Sequence, residues 1–146
     1  MKNINFIYLI ILGSITFLSC NKTEINSVIN CTINSIPWAS EGKITFKKNN
    51  SISVMFFAKD AEGNEFSLSV PLPPAKKTYI IGGRENICWA EYKSKLGNVY
   101  AATDGGLAIV KASETYFEGM FYFNAECKDS AVAKFFGGGK FKLYYK

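Results

Sequence analysis

The sequence predicts an all-β fold, an antiparallel meander of about 8–10 strands that forms a β-sandwich or a flattened barrel. Apolar and polar residues alternate from Asn30 onward, and turn-forming residues recur at intervals of about 8 to 12 positions. No segment has the periodicity of an amphipathic helix. Of the 146 residues, 48% are hydrophobic and 15% aromatic, a composition that argues against disorder. We therefore expect one β domain over residues 30–146.

The clearest strand runs from Tyr116 to Cys127. Residues of one parity are apolar and those of the other parity are mostly polar, a separation that a strand produces and a helix does not. The last strand of the chain repeats this pattern, with lysines on its outward parity. The residues expected to face inward in these two strands are Phe117, Gly119, Phe121, Phe123, Ala125, Cys127, Phe141, Leu143 and Tyr145.

Three strands are predicted in the first half of the domain, separated by turns at Asn49-Asn50 and at residues 60–65. Each alternates between apolar and polar residues. Trp38, directly after Pro37, is expected to fill the core. The residues expected to face inward are Ile44, Phe46, Ile52, Val54, Phe56, Ala58, Phe66, Leu68, Val70 and Leu72, with Ser67 and Ser69 facing outward.

The second half begins with a proline-rich segment, residues 71–74, which must lie at an edge or in a loop because proline cannot donate to a strand ladder. Residues 79–81 form a short predicted strand. A hairpin is expected between residues 88–93 and 98–103. The glycine-rich residues 104–106 and 136–139 are both interpreted as turns.

The N-terminus predicts an export signal. A single lysine, Lys2, precedes an uncharged run over residues 4–19, which is shorter than the roughly 20 residues of a membrane-spanning helix. The run ends at Phe17-Leu18-Ser19-Cys20, which resembles the lipobox of bacterial lipoproteins. That resemblance implies cleavage after Ser19 and a diacylglycerol on the sulfur of Cys20. The alternative is an ordinary signal peptide or a short membrane helix with a buried thiol.

Lipidation at Cys20 would define how the chain is divided into segments and where in the cell the protein is located. Residues 1–19 would be the signal peptide, residues 20–29 the lipidated cysteine and its tether, and the β domain would follow. Two or more acyl chains hold a protein firmly to a bilayer, whereas one holds it weakly. We therefore expect the membrane as a partner through Cys20, and a location in the cell envelope, at the outer membrane on its periplasmic or surface face.

Three further cysteines, Cys31, Cys88 and Cys127, lie in the predicted domain. An exported protein meets oxidising conditions, so one disulfide among the three is one expectation, and the pairing is open. Three buried, unpaired thiols are the other expectation. Their spacing matches no zinc site, and the chain contains no histidine to complete one. We expect no metal and no cofactor.

The absence of histidine also excludes the Ser-His-Asp and Cys-His types of catalysis. Carboxylate pairs remain available, but most acids lie in predicted turns or on outward parities. Glu91, on the same parity as Trp89 and Lys93, is the one acid beside a large aromatic ring. The basic residues are scattered, so we expect no nucleic-acid partner. A mildly basic surface would suit anionic lipid headgroups or acidic glycans.

The aromatic residues give the one positive indication of a site. Aromatic rings exposed on a sheet can stack on sugars or anchor a protein partner. The alternative is that another layer covers them. The candidate ligand-contacting residues, all on outward parities, are Trp89, Tyr116, Tyr122 and Tyr144.

Several segments together resemble a family of small Bacteroidetes-type lipoproteins with an uncharacterised all-β domain. Its first element is matched by Cys31, Asn34 and Trp38, with Ser35 in place of the usual glycine. Its later elements, a Gly-x-Phe-x-Phe-x-Ala strand and a closing Gly-x-Phe strand, are matched by Gly119, Phe121, Phe123, Ala125, Gly139 and Phe141. The resemblance implies that the protein is an envelope lipoprotein, and it implies no particular activity.

These observations favour an envelope lipoprotein whose domain is non-catalytic and binds a glycan or an envelope protein, or serves a structural role. A lipocalin-like carrier of an apolar ligand is the first alternative, although inward phenylalanines would tend to fill its interior. A carboxylate-dependent envelope hydrolase is the second.

Overall fold

A computed structural model describes residues 26–49 and 51–146 of the chain. The predicted signal peptide, Cys20 and most of the tether lie outside the described residues, as does Asn50. Within the described ranges no helix is long and apolar enough to cross a bilayer.

The predicted fold class is confirmed: the domain is all-β and antiparallel, and its sheet curls into a half-barrel. The order of strands across the sheet is β2-β1-β10-β9-β8-β7-β5-β4-β3, and β6 pairs with β8 beside this path. The ten strands are β1 (Val28–Ile33), β2 (Ile36–Ala39), β3 (Glu41–Asn49), β4 (Ser53–Lys59), β5 (Glu65–Pro71), β6 (Thr78–Ile81), β7 (Trp89–Lys93), β8 (Val99–Ala112), β9 (Tyr116–Cys127) and β10 (Ala133–Tyr144).

The two edge strands, β2 and β3, are consecutive in the chain and are joined by Ser40 alone. The curl of the sheet therefore brings its two edges together at this residue. Ser40 fastens the junction to β1, since its hydroxyl accepts the N–H of Ile29 and its own N–H donates to the Ile29 carbonyl. Pro37 in β2 and the lysines of β3 are residues that discourage further strand pairing at an exposed edge.

The domain begins slightly before the predicted boundary at residue 30. β1 starts at Val28, and Ile29 is fully buried in the core. Ser27 is already attached, because its hydroxyl accepts the backbone N–H of Tyr144 at 3.0 Å. The predicted tether is therefore shorter than residues 20–29.

Phenylalanine rings fill the inside of the curled sheet. Phe123 and Phe136 stack with ring centroids 4.3 Å apart. Phe66, on β5, contacts rings from β9 and β10 on the facing wall. Trp38 packs on Phe66 at 5.3 Å and is buried, as predicted. The interior is thus a packed core.

Most predicted strands are confirmed. β9 has the predicted bounds, and its alternating residues from Phe117 to Cys127 are buried. The hairpin of β7 and β8 forms as expected. The turn at residues 60–65 is also present, and a carboxylate oxygen of Asp60 accepts the backbone N–H groups of Glu62 and Asn64.

The prediction of turns at the two glycine-rich segments was wrong. Residues 104–106 lie inside β8, and residues 136–139 lie inside β10. The pairing with β9 shifts register at Thr103, just before the first segment, and between Phe136 and Gly139 in the second. Each glycine-rich segment therefore lies at or beside a bulge that bends a continuous strand. Gly138 supplies the left-handed backbone that the second bulge needs, with φ of 56°.

The solvent exposure of three residues also differs from the prediction. Phe46 is exposed because β3 is an edge strand, and Ile52 is exposed because it lies in the turn before β4. Ser69 is fully buried, and its hydroxyl donates to the carbonyl of Ile87 in the loop that covers this part of the sheet.

The hairpin of β1 and β2 is tight although Ser35 replaces glycine. Asn34 and Ser35 form its two-residue turn, both with positive φ, at 50° and 69°. The Asn34 side-chain oxygen accepts the N–H of Phe135, which ties the turn to β10.

Candidate functional site

The outer face of β8, β9 and β10 carries several exposed, large apolar side chains. Tyr122 and Met120 project outward from β9 and are 56% and 51% exposed. Their neighbours across the ladder are small: Tyr122 is opposite Gly106, and Met120 is opposite Ala108. The large side chains of Tyr122 and Met120 therefore project from a surface whose neighbouring residues, Gly106 and Ala108, are small.

Small residues make this part of the face concave. A groove of about 420 Å³ is lined by Gly106, Ala108, Gly138 and Gly139, with Met120, Tyr122 and Lys140 at its sides. A Cβ atom at Gly106 would lie 3.1 Å from the Tyr122 ring, so the ring rests directly on the glycine backbone. The groove is mainly apolar, as expected for a surface that receives an apolar side chain.

Ile80 lies beside the groove on the neighbouring strand β6, and sequence reasoning missed it. It lies on β6 opposite Gly106 and is 83% exposed. Its neighbours Tyr79 and Ile81 point to the other face, where Ile81 is fully buried. The alternation within β6 was a usable signal, but the pairing of β6 with β8 was not readable from the sequence. We call Ile80, Gly106, Met120, Tyr122 and Lys140 the outer groove.

Tyr116 and Tyr144 lie apart from this groove, at one end of β9 and β10. Both are half-buried, and their rings stack on each other with centroids 5.4 Å apart. The Lys142 ammonium lies 5.9 Å and 5.7 Å from the two ring centroids. Its interaction with the Tyr144 side chain raises the pKa of Lys142, so it stays charged. These rings are already partnered.

Trp89 is buried, which corrects its prediction as an exposed, ligand-contacting ring. It retains only 9% exposure, although it does not belong to the core cluster. The loop before β7 covers it, and the Arg84 guanidinium lies 5.2 Å from its ring centroid. The same guanidinium binds both carboxylate oxygens of Glu91, at 2.7 Å and 2.8 Å. Glu91 is thus held in an ion pair rather than presented to a substrate.

The three cysteines of the domain are buried, free thiols. Burial raises the pKa of Cys31 and of Cys88 to about 12, so neither is a thiolate at neutral pH. In the part of the chain that the structure describes, no three histidine, cysteine, aspartate or glutamate side chains converge as metal ligands do.

Comparisons with protein-family models, with curated proteins and with solved structures found no match to this chain. The resemblance to the Bacteroidetes-type lipoproteins therefore stays a prediction from the sequence motifs.

Proposed function

We propose that this chain is a lipid-anchored envelope lipoprotein whose β domain binds an envelope protein, without catalysis, through the outer groove. One observation carries the binding role: Tyr122 and Met120 are exposed beside a groove lined by small residues, and Ile80 is exposed opposite Gly106 on the neighbouring strand. Large apolar side chains are costly to expose together, and such patches commonly mark sites of protein association.

The chemistry of the groove favours a protein over a glycan. Met120 and Ile80 offer flexible apolar contact, whereas a sugar needs several hydrogen-bond partners for its hydroxyls. Among the groove residues the structure describes, the side chains of Thr78, Lys140 and Tyr122 carry the polar groups. An apolar or aromatic side chain of a partner protein would fill this space with fewer unsatisfied groups.

The alternative of a lipocalin-like carrier finds less support. Its ligand would need space inside the curled sheet, where Phe56, Phe66, Phe117, Phe123 and Phe136 are all fully buried and pack on one another. The hydrolase alternative also finds less support, since Glu91, the acid beside a large aromatic ring, is bound by Arg84.

The anchor is tested by intact-mass measurement of the membrane fraction. We expect the wild-type mass to match cleavage after Ser19 plus the acyl groups on Cys20. The Cys20→Ala variant should carry no acyl mass, and the processed form should be missing from its membrane fraction. A wild-type protein without lipid would contradict the anchor, whatever the outer groove does.

The outer groove is tested by site-specific photo-crosslinking in intact cells. A photoreactive phenylalanine analogue at position 122 should give one discrete adduct, identified as a protein by its tryptic peptides. Replacing Ile80 with glutamate in the same chain should reduce that adduct about tenfold or more, as expected for a charge buried in an apolar contact. Ile80 is so exposed that this change leaves the fold intact.

Phe57 provides the matched control, because it is an exposed aromatic ring on β4, in a different part of the sheet. The analogue at position 57 should give no adduct. Equal adducts at both positions would show non-specific capture and contradict the site. A position-122 adduct whose mass is a saccharide would replace the protein partner with a glycan.

A further inference from the structure

The end of the domain where the chain enters carries an excess of positive charge. Asn26 and Ser27 line a groove of about 770 Å³ with the β3 segment at Lys43 and with Tyr144 and Lys146. Lys48 lies 5.7 Å from the ring centroid of Tyr145 beside this groove. Lys142 is opposite Val28 in the ladder of β10 and β1. We call this region the chain-entry end.

The charge of the described domain is concentrated there. The acids of this end are Glu41, which lines a groove with Lys43, and Glu114 and Glu118, which pair with Lys146 and Lys111. Glu118 is also opposite Lys142 in the ladder of β9 and β10. No described carboxylate lies within ion-pair distance of the other lysines of this end, which are Lys43, Lys47, Lys48 and Lys142. Six lysines at this end thus face three acids, whereas elsewhere in the described residues nine lysine or arginine side chains are nearly balanced by eight acids.

The length of the tether fixes what this end must face. Asn26 is six positions after Cys20 in the chain, and an extended chain covers at most about 3.6 Å per residue. If Cys20 carries lipid, as the proposed function holds, Asn26 stays within about 22 Å of the bilayer surface. The exposed lysines and the half-buried Tyr116 and Tyr144 of this end are then the part of the domain nearest to the lipid headgroups.

We infer that the chain-entry end docks on anionic lipid headgroups of the membrane that holds the anchor. Lys43, Lys48 and Lys142 contact the headgroups, and the tyrosines lie at the interface, where rings with an apolar body and a polar tip are favoured. The acyl chains hold the protein to the membrane, and the lysines set its orientation. The outer groove at Tyr122 then lies about 20 Å farther along β9, clear of the headgroups.

The test measures the acetylation rate of individual lysines in the lipidated full-length protein. The protein is reconstituted in phosphatidylcholine vesicles with or without phosphatidylglycerol, and labelled lysines are read by peptide mass spectrometry. Lys43 and Lys142 should react about fivefold more slowly on the anionic vesicles, in line with the attraction of a lysine to such a surface. High salt should remove the difference while the protein stays with the vesicles.

Two lysines at the opposite end serve as internal controls. Lys128 is exposed in the turn after β9, and Lys134 lies over the Tyr100 ring at 4.9 Å, much as Lys142 lies over Tyr144. Their rates should be the same on both vesicles. Equal rates at all four lysines would overturn the docking and leave the anchor intact.

Failure of the anchor gives a different result. A protein that does not float with phosphatidylcholine vesicles lacks the anchor, and the docking is then read from co-sedimentation with phosphatidylglycerol vesicles. Salt-sensitive co-sedimentation, reduced by Lys43→Gln with Lys142→Gln and unchanged by Lys128→Gln, supports the docking. No co-sedimentation, or equal effects of these variants, overturns it.

Discussion

Replacing Gly119 with alanine should destabilise the domain by about 3 kcal/mol, the upper range for inserting one methyl group into a packed region. Gly119 lies in β9 between Ile109 of β8 and Phe141 of β10. A Cβ atom there would collide with the carbonyl oxygen of Ala108 and lie 2.8 Å from Cζ of Phe141. The ring can rotate away, but the carbonyl belongs to a backbone that cannot yield.

The backbone at Ala108 is held from both sides. Ala108 is opposite Met120 of β9 and opposite Thr78 of β6. A backbone shift that relieved the collision would therefore break ladder hydrogen bonds to two neighbouring strands. Each of these hydrogen bonds contributes about 1 kcal/mol to stability. The urea midpoint should fall by an amount that corresponds to the predicted loss, with an unchanged slope.

Gly138→Ala is the control for this prediction. Its φ of 56° disfavours a side chain, but no heavy atom lies within 4 Å of the added Cβ. The cost should be that of a left-handed alanine, about 1 kcal/mol. Equal losses for the two variants would mean that backbone strain, rather than the collision at Ala108, governs the tolerance of this sheet to added side chains.

Alternation predicted the strands well where one face is buried and the other is in solvent. β9 is the best example, because every residue of its inward parity from Phe117 to Cys127 is buried. Parity did not predict whether a residue is buried where the burial of that face depends on distant parts of the chain. Phe46 has the right parity for the core but lies on an edge strand, and no local pattern in β3 states that it is an edge.

Glycine gave the second kind of error, since the same residue serves turns and bulges. The segments at residues 104–106 and 136–139 were predicted as turns but lie inside long strands, the first just after a bulge and the second at one. A turn reverses the chain, whereas a bulge bends a strand whose neighbours continue. The choice depends on whether β9 pairs along the full length of β8 and β10, which is information about the partner strand.

The candidate site was predictable only in part, for related reasons. Tyr122 was identified because its parity in β9 is unambiguous. Trp89 was identified by the same logic and is buried, because a loop that precedes it in sequence folds over it and supplies Arg84. Ile80 was missed because its place beside Tyr122 follows from the pairing of β6 with β8, across a sequence separation that alternation does not address.

Phe66→Ala should also destabilise the domain strongly, by about 3–5 kcal/mol. Phe66 is fully buried, and its ring is within 6.1 Å, centroid to centroid, of Trp38, Phe121, Phe123 and Phe136. The loss is a large part of the roughly 5–15 kcal/mol that stabilises a typical domain. Chemical denaturation should show this loss. The control Phe57→Ala removes the same six ring carbons at an exposed neighbouring position and should cost well under 1 kcal/mol, as surface changes usually do.

The same residue tests the curl of the sheet. β5 and β10 are separated by three strands in the sheet order, so Phe66 and Phe136 would be far apart on a flat sheet. Their rings meet only because the half-barrel brings the two walls together. A double-mutant cycle of Phe66→Leu and Phe136→Leu, milder changes that keep the domain folded, should therefore give a coupling energy of about 1 kcal/mol. Additive effects of the two substitutions would mean that the walls do not touch there and that the sheet is flatter than described.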